Sequence, residues 1–283
     1  EKEPEGLDLP VERREFEERE TEVDASDLLG YEPRFETVGD IALLEPEEDT
    51  EAGDALVEAD NGIVTALRVE SAVEGKERTR RMSHVAGDEK TTTVHREYGR
   101  EFVVDLTEVY FTPRLAEERE RVASQVHEDE VVFDMFAGVG PFSVAAAEEG
   151  AEVIASDINE RAVELLCENT RRNNVAERVT AYNEDARVVA DRVAEGGGAD
   201  RIYMNLPHTA DEFLKYACEA VSDEGGVVHY YDIRHEDDLF GGAVEEIRTS
   251  AERAGYGVEV LERVVVRSYA PYDYNVCVDA RLF

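Results

Sequence analysis

The chain has 283 residues, 42% of them hydrophobic, which supplies enough apolar material for real cores and a length that suggests two domains. Acids outnumber bases 68 to 30, a formal charge of -38 that should repel a polyanion at low salt, and only four bases are lysine (Lys2, Lys76, Lys90, Lys215). No apolar run approaches the roughly 20 residues of a membrane span, and the scattered Cys167, Cys218 and Cys277 read as core thiols of a reducing cytosol.

Residues 1–30 form a charged N-terminal segment, with an alternating stretch at 13–23 that reads as an edge strand. Residues 35–44 read as one strand, followed by a helix at 54–61 that reaches back at most to Pro46. Further short strands at 64–69, 91–95 and 102–106, with turns at Gly62, Gly87 and Gly99, complete a small α+β unit over 31–108. A helix at 115–126, rich in Glu and Arg, follows Pro113 and belongs to a second unit, 109–283. Strands at 131–134, 152–156, 179–183, 201–205 and 226–232 then alternate with helices at 142–149, 160–173, 186–193 and 210–221. A last helix at 241–254 precedes a hairpin of strands at 258–267 and 275–282. Such alternation predicts an α/β unit with a mostly parallel, doubly wound sheet.

The run Asp134-Met135-Phe136-Ala137-Gly138-Val139-Gly140-Pro141-Phe142 is strand, glycine turn and helix in succession. That geometry lets backbone approach a nucleotide-like ligand at the carboxyl edge of a sheet. A second acid, Asp157, stands at the end of the next strand, where it can accept both hydroxyls of a ribose. Asp185 and Asn205 follow the third and fourth strands, so all four polar groups face one crevice. Each acid taken alone also reads as a helix N-cap. The order resembles a class I S-adenosylmethionine-dependent methyltransferase with a Rossmann-like sheet. It resembles a nicotinamide fold less, since Ser143 stands where a third glycine would be. The resemblance implies S-adenosyl-L-methionine as cofactor, with the ribose on Asp157, the adenine amino group on Asp185 and the methionine end along the backbone from Phe136 through Gly138 to Gly140; Asp134, Ile158, Ala186 and Asn205 complete the cofactor-binding set.

Asn205-Leu206-Pro207-His208 keeps the Asn and Pro of the Asn-Pro-Pro-Tyr pattern of amino-methylating enzymes, but not its stacking aromatic, which argues against an exocyclic amine as target. His208 reads as a helix cap, with metal or base roles as the alternatives.

Tyr110-Phe111-Thr112-Pro113-Arg114-Leu115-Ala116-Glu117-Glu118-Arg119, together with the glycine loop and the Asn205 motif, resembles the archaeal–eukaryotic tRNA (guanine-N1)-methyltransferase family. Residues 75–78 and 91–99 add to the likeness, which spans roughly 31–283. The family acts on the guanosine at position 37, so the resemblance implies tRNA, met at its anticodon region, as partner of a cytoplasmic monomer. It also implies Glu118 as general base for the N1 proton, Arg78 holding charge on O6, Asn205 and Pro207 at the base edge, and Tyr110 lining the pocket. Read without the family, Glu118 is an i,i+4 salt-bridge partner of Arg114. The basic run Arg78-Thr79-Arg80-Arg81 reads as a phosphate-contacting segment or a solvated turn, and Arg114 and Arg119 join it as RNA-binding candidates of the α+β unit and its neighbour. Rival targets of the same fold are another RNA, a wyosine precursor or a protein; a rival class is an RNA chaperone that binds the cofactor without turnover. The acid loading and lysine depletion fit a halophilic archaeon, where molar salt shortens the Debye length to about 3 Å.

Overall fold

The structure is a computed structural model that describes residues 23–59 and 62–283. The strand expected at 13–23 lies outside the described residues but for its last. The first layer comprises α1 (Ala25–Leu29), β1 (Phe35–Val38), β2 (Ile41–Leu44), α2 (Thr50–Glu58), β3 (Thr65–Val69) and β4 (Met82–Gly87). Its strands are ordered β1-β2-β3-β4.

The structure departs from the sequence expectation at two places, one strand split and one strand unexpected. The single strand at 35–44 is a tight hairpin, because the chain reverses at Gly39 and Asp40. Gly39 has φ 58, and a Cβ there would lie 2.0 Å from Thr93 Oγ1 and 2.7 Å from the Val94 carbonyl oxygen. Asp40 fixes the turn by accepting from the Thr93 hydroxyl at 2.7 Å and the Lys90 ammonium at 2.6 Å. β4 had no counterpart in the sequence reading. Its residues are mostly half-exposed, so the apolar alternation that marks a strand is weak.

A two-stranded hairpin, β5 (Thr92–Glu97) and β6 (Arg100–Asp105), leads to a 3-10 turn (Pro113–Leu115) and α3 (Ala116–Ala123). The larger sheet follows through β7 (Val131–Asp134), α4 (Pro141–Glu148), β8 (Glu152–Ser156), α5 (Glu160–Arg172), β9 (Val179–Tyr182) and α6 (Ala186–Glu195). β10 (Arg201–Met204), α7 (Leu214–Ala220), β11 (Gly226–His235), α8 (Gly241–Ala254), β12 (Val258–Ala270) and β13 (Asp273–Leu282) complete it. The order is β12-β13-β11-β10-β7-β8-β9; the five strands from β11 to β9 are parallel, and β13 enters antiparallel between β11 and β12.

The core does not break near residue 108. One buried cluster runs from Val38 and Ile41 through Phe102 and Val104 to Val132 and Phe142. Asn169 of α5, wholly buried, seals this junction: its Oδ1 accepts from the Val103 amide at 2.7 Å and its Nδ2 donates to the carbonyls of Val103 and Val139. Strand order reverses beside β7, whose neighbours are β8 and β10. Loops leaving the carboxyl ends of parallel strands diverge at such a point and leave a crevice.

Candidate active site

The crevice has a volume of about 1130 Å³ and is walled by the loops after β7, β8, β9 and β10 and by the segments 72–80 and 110–119. The glycine loop is its floor. Gly138 has φ 55 and Gly140 φ 87, and a Cβ on Gly140 would stand 2.9 Å from Leu166 Cγ, so the turn needs glycine twice over. Asp157 faces this loop and accepts the Gly138 amide at 2.8 Å on one oxygen and the Asn159 amide at 2.9 Å on the other. Burial, helped by the charge of Glu77, holds its carboxyl above the usual range despite those donors. Ile158 is 44% exposed and offers an apolar face within the crevice. Phe136 meets Phe213 edge-on, with ring centroids 4.9 Å apart.

Of the residues expected to hold the cofactor, Phe136, Gly138, Asp157, Ile158, Asp185, Ala186 and Asn205 line the crevice. Asp134 and Gly140 do not; they brace the loop from below. Asp134 is 1% exposed, accepts the Ser143 hydroxyl at 2.7 Å, and burial pushes its carboxyl up to about 7. Asp185 is both a lining residue and an N-cap: it accepts the Arg187 amide, and the Arg187 guanidinium, 2.6 Å away, lowers its pKa.

On the opposite side, Arg78, Tyr110, Asn205 and Pro207 also line the crevice. Arg78 adopts φ 55, rare for a side-chain-bearing residue, and its guanidinium lies 5.6 Å from the centroid of the Tyr110 ring. His208 packs on Tyr269 with centroids 5.1 Å apart; burial and the charge of Arg78 lower its pKa, and it forms no cap.

The candidate RNA contacts separate. Arg80 lines the crevice with an unpartnered Nε, whereas Arg81 is exposed and lies 3.8 Å from Glu74. Arg114 sits on the rim and pairs with Glu36 at 2.9 Å, not with Glu118. Arg119 lines the wall from within: it is 2% exposed, forks onto Glu97, donates to the Thr112 carbonyl and packs on the Phe111 ring. A buried guanidinium needs such partners, which leaves it in the wall and off the surface. Glu118 is 6% exposed and lies behind the lining. Both of its oxygens are held by Arg121, and the Tyr231 hydroxyl donates to it at 2.7 Å.

Residues 93–261 match the TRM5/TYW2 methyltransferase domain. The chain belongs to this family. It is 44% identical over 253 residues to tRNA (guanine(37)-N(1))-methyltransferase Trm5b of Pyrococcus abyssi, covering 88% of this chain and 74% of that protein. It is 33% identical over 223 residues to tRNA(Phe) (4-demethylwyosine(37)-C(7)) aminocarboxypropyltransferase of Pyrococcus horikoshii, 78% of each. A solved complex of aTrm5 with tRNALeu superposes with a TM-score of 0.81 at 32% identity, covering 98% of this chain and 82% of that one.

Among the lining residues that the sequence reading did not single out are Arg267, Tyr269 and Asn275 of the β12–β13 hairpin. One signal was available, polar Asn275 and Asp279 within a strand segment whose other residues are apolar. The crevice therefore has three faces: a glycine-loop cradle, a cation-bearing aromatic wall, and a hairpin.

Proposed function

We propose that this chain transfers the methyl group of S-adenosylmethionine to N1 of the guanosine at position 37 of tRNA. The observation that carries the reading is Arg78. Its guanidinium stands over Tyr110 and faces the cradle in the crevice, and it has no ion-pair partner among the described residues. Its chain context supports the same activity, through 44% identity to the P. abyssi Trm5b protein. Guanine N1 carries a proton, so methylation there must remove it and stabilise the charge that develops on O6.

The cradle fits the cofactor: a left-handed Gly138 facing Tyr110 across the loop, where a Cβ would lie 3.9 Å from the Tyr110 carbonyl oxygen, an acid whose oxygens are ordered by two amides, and the apolar face of Ile158. When bound, the cofactor supplies an electrophilic methyl on a sulfonium. Asp157 holds the ribose, and Asp185 and Ala186 border the adenine. Arg78 takes the charge on O6, Asn205 and Pro207 hold the base edge, and Tyr110 presents its face to the base. Glu118 is the proton acceptor in this reading, which requires it to turn out of its Arg121 clamp when substrate enters. The α+β unit at 31–108, with Arg78, Arg80, Arg81 and the rim residue Arg114, meets the anticodon region. The enzyme works as a cytoplasmic monomer of a salt-adapted archaeon; among the described residues no helix is long and apolar enough to cross a membrane.

A second reading, aminocarboxypropyl transfer to 4-demethylwyosine at the same position, is favoured by the 33% identity to the P. horikoshii protein. Transcripts with G or A at position 37 and a tRNA carrying 4-demethylwyosine there, incubated with cofactor labelled in the methyl or in the carboxyl group, separate the two. Methyl label on the G37 transcript alone is expected. Carboxyl label on a 4-demethylwyosine tRNA, with no methyl label on G37, selects the second reading. Transfer of neither overturns both.

A further inference from the structure

Arg267 and Asn275 are cross-strand partners in the β12–β13 hairpin, and both line the crevice. Asn275 is 2% exposed, and its Oδ1 is covered without a partner. A buried amide oxygen in that state is rare in a folded chain, and a ligand that donates to it is one explanation. The Nε atoms of Arg267 and Arg80 are covered and unpartnered too. Neither arginine has an ion-pair partner among the described residues, in a chain with 68 acids. Asn275 also pairs with Ile233 of β11, whose amide donates to the Pro207 carbonyl at 3.1 Å. The orphan amide is thus one strand away from the Asn205–His208 loop.

We propose that this hairpin is a further substrate-reading wall. Asn275 accepts a hydrogen bond from the nucleoside in the crevice, and Arg267 with Arg80 holds an adjoining phosphate. The inference rests on RNA being the substrate. The donor is an N–H or O–H of that nucleoside, supplied by the exocyclic amine of the base or by the ribose 2′-hydroxyl. Guanidinium groups suit the phosphate because their fork matches two oxygens and they stay charged.

The test uses the full chain with Asn275→Ala and Arg267→Gln, a labelled anticodon stem-loop RNA, and S-adenosylhomocysteine in the cofactor site. Affinity is read by fluorescence anisotropy. Asn275→Ala is expected to weaken RNA binding about tenfold, as loss of one hydrogen bond to a buried acceptor does, with cofactor affinity unchanged. Replacing G37 by inosine, which lacks the exocyclic amine, or by 2′-deoxyguanosine identifies the donor. The modified RNA that lacks it loses affinity for the wild type and none for Asn275→Ala. Arg267→Gln, on a half-exposed residue that folding tolerates, should lower the slope of log affinity against log salt by about one. Wild-type binding by both variants overturns the proposal, as does a weakened Asn275→Ala that couples to neither modified RNA. If the wild type shows the coupling but transfers no methyl group, the hairpin wall stands and the methyltransferase reading falls. If the wild type methylates G37 and the variants behave like it, the hairpin wall alone falls.

Discussion

Arg121 grips both carboxylate oxygens of Glu118, one turn back along α3, with its Nε and Nη2 each 2.8 Å away. The same guanidinium reaches Asp279 at 2.6 Å, and Asp279 holds the buried His229 at 2.7 Å. Glu118→Gln keeps an acceptor for the Tyr231 hydroxyl but cannot complete the fork. We expect it to cost roughly 1–3 kcal/mol in stability, the range for a charged hydrogen bond left incomplete. If Glu118 is the base, single-turnover methyl transfer falls by about 10²–10⁴ with cofactor affinity intact. Unchanged transfer in a variant with a lowered melting temperature would confine Glu118 to the fold.

Asp157 joins the second strand end to the glycine loop through the Gly138 amide. Asp157→Ala removes the proposed ribose acceptor and releases that amide together. Its affinity for S-adenosylmethionine should fall by roughly 1.5–3 kcal/mol. Calorimetry on a folded variant with wild-type affinity removes Asp157 from the site.

Asp134 gives a pH signature. Burial raises its folded carboxyl from an ordinary 3.8 to about 7, so the folded state binds the proton more tightly than the unfolded state. Its contribution is then fully present below the unfolded value and is lost as pH rises through about 7. Asp134→Asn keeps an acceptor for the Ser143 hydroxyl and cannot ionise. The variant's stability should therefore rise relative to the wild type between weakly acidic and weakly alkaline buffer, measured by urea melts at fixed salt. A constant difference across that range means that Asp134 does not titrate where burial places it.

A net charge of -38 sets the salt dependence. Ordinary protein–nucleic-acid affinity falls with salt, because bound phosphates release counterions. Here low salt leaves the acids unscreened, so stability and methyl transfer should rise from about 0.1 M toward molar potassium chloride, as the Debye length shrinks from about 10 Å to about 3 Å. Maximal activity and melting temperature at low salt defeat the halophile reading.

How legible each part was follows from where its determinants lie. The strands at Val131–Asp134 and Glu152–Ser156 and the helix Gly241–Ala254 were readable because apolar runs and punctuating residues are local signals. The Gly39 turn was hidden inside a run whose flanking residues Val38 and Ile41 are both buried. The cradle was readable because its residues sit at successive strand ends. Arg119 was misjudged because its partner, Glu97, lies in β5 and nothing near Arg119 announces it. Arg267 and Asn275 were missed because sheet order, and not sequence proximity, brings them to the crevice, Asn275 beside Ile233 and Arg267 beside Asn275.

That sheet order also constrains biosynthesis. β13 is made after both strands it separates, β11 and β12. Until residues 273–282 leave the ribosome, β11 keeps an open edge, and the Asp279 partner of His229 and Arg121 has not arrived. The nascent enzyme thus has a late step that no earlier segment can complete, and an exposed strand edge to shield meanwhile. A ribosome stalled upstream of Asp273 would carry a chain with its cradle sequence complete and its sheet unfinished, a client for chaperones and not yet an enzyme.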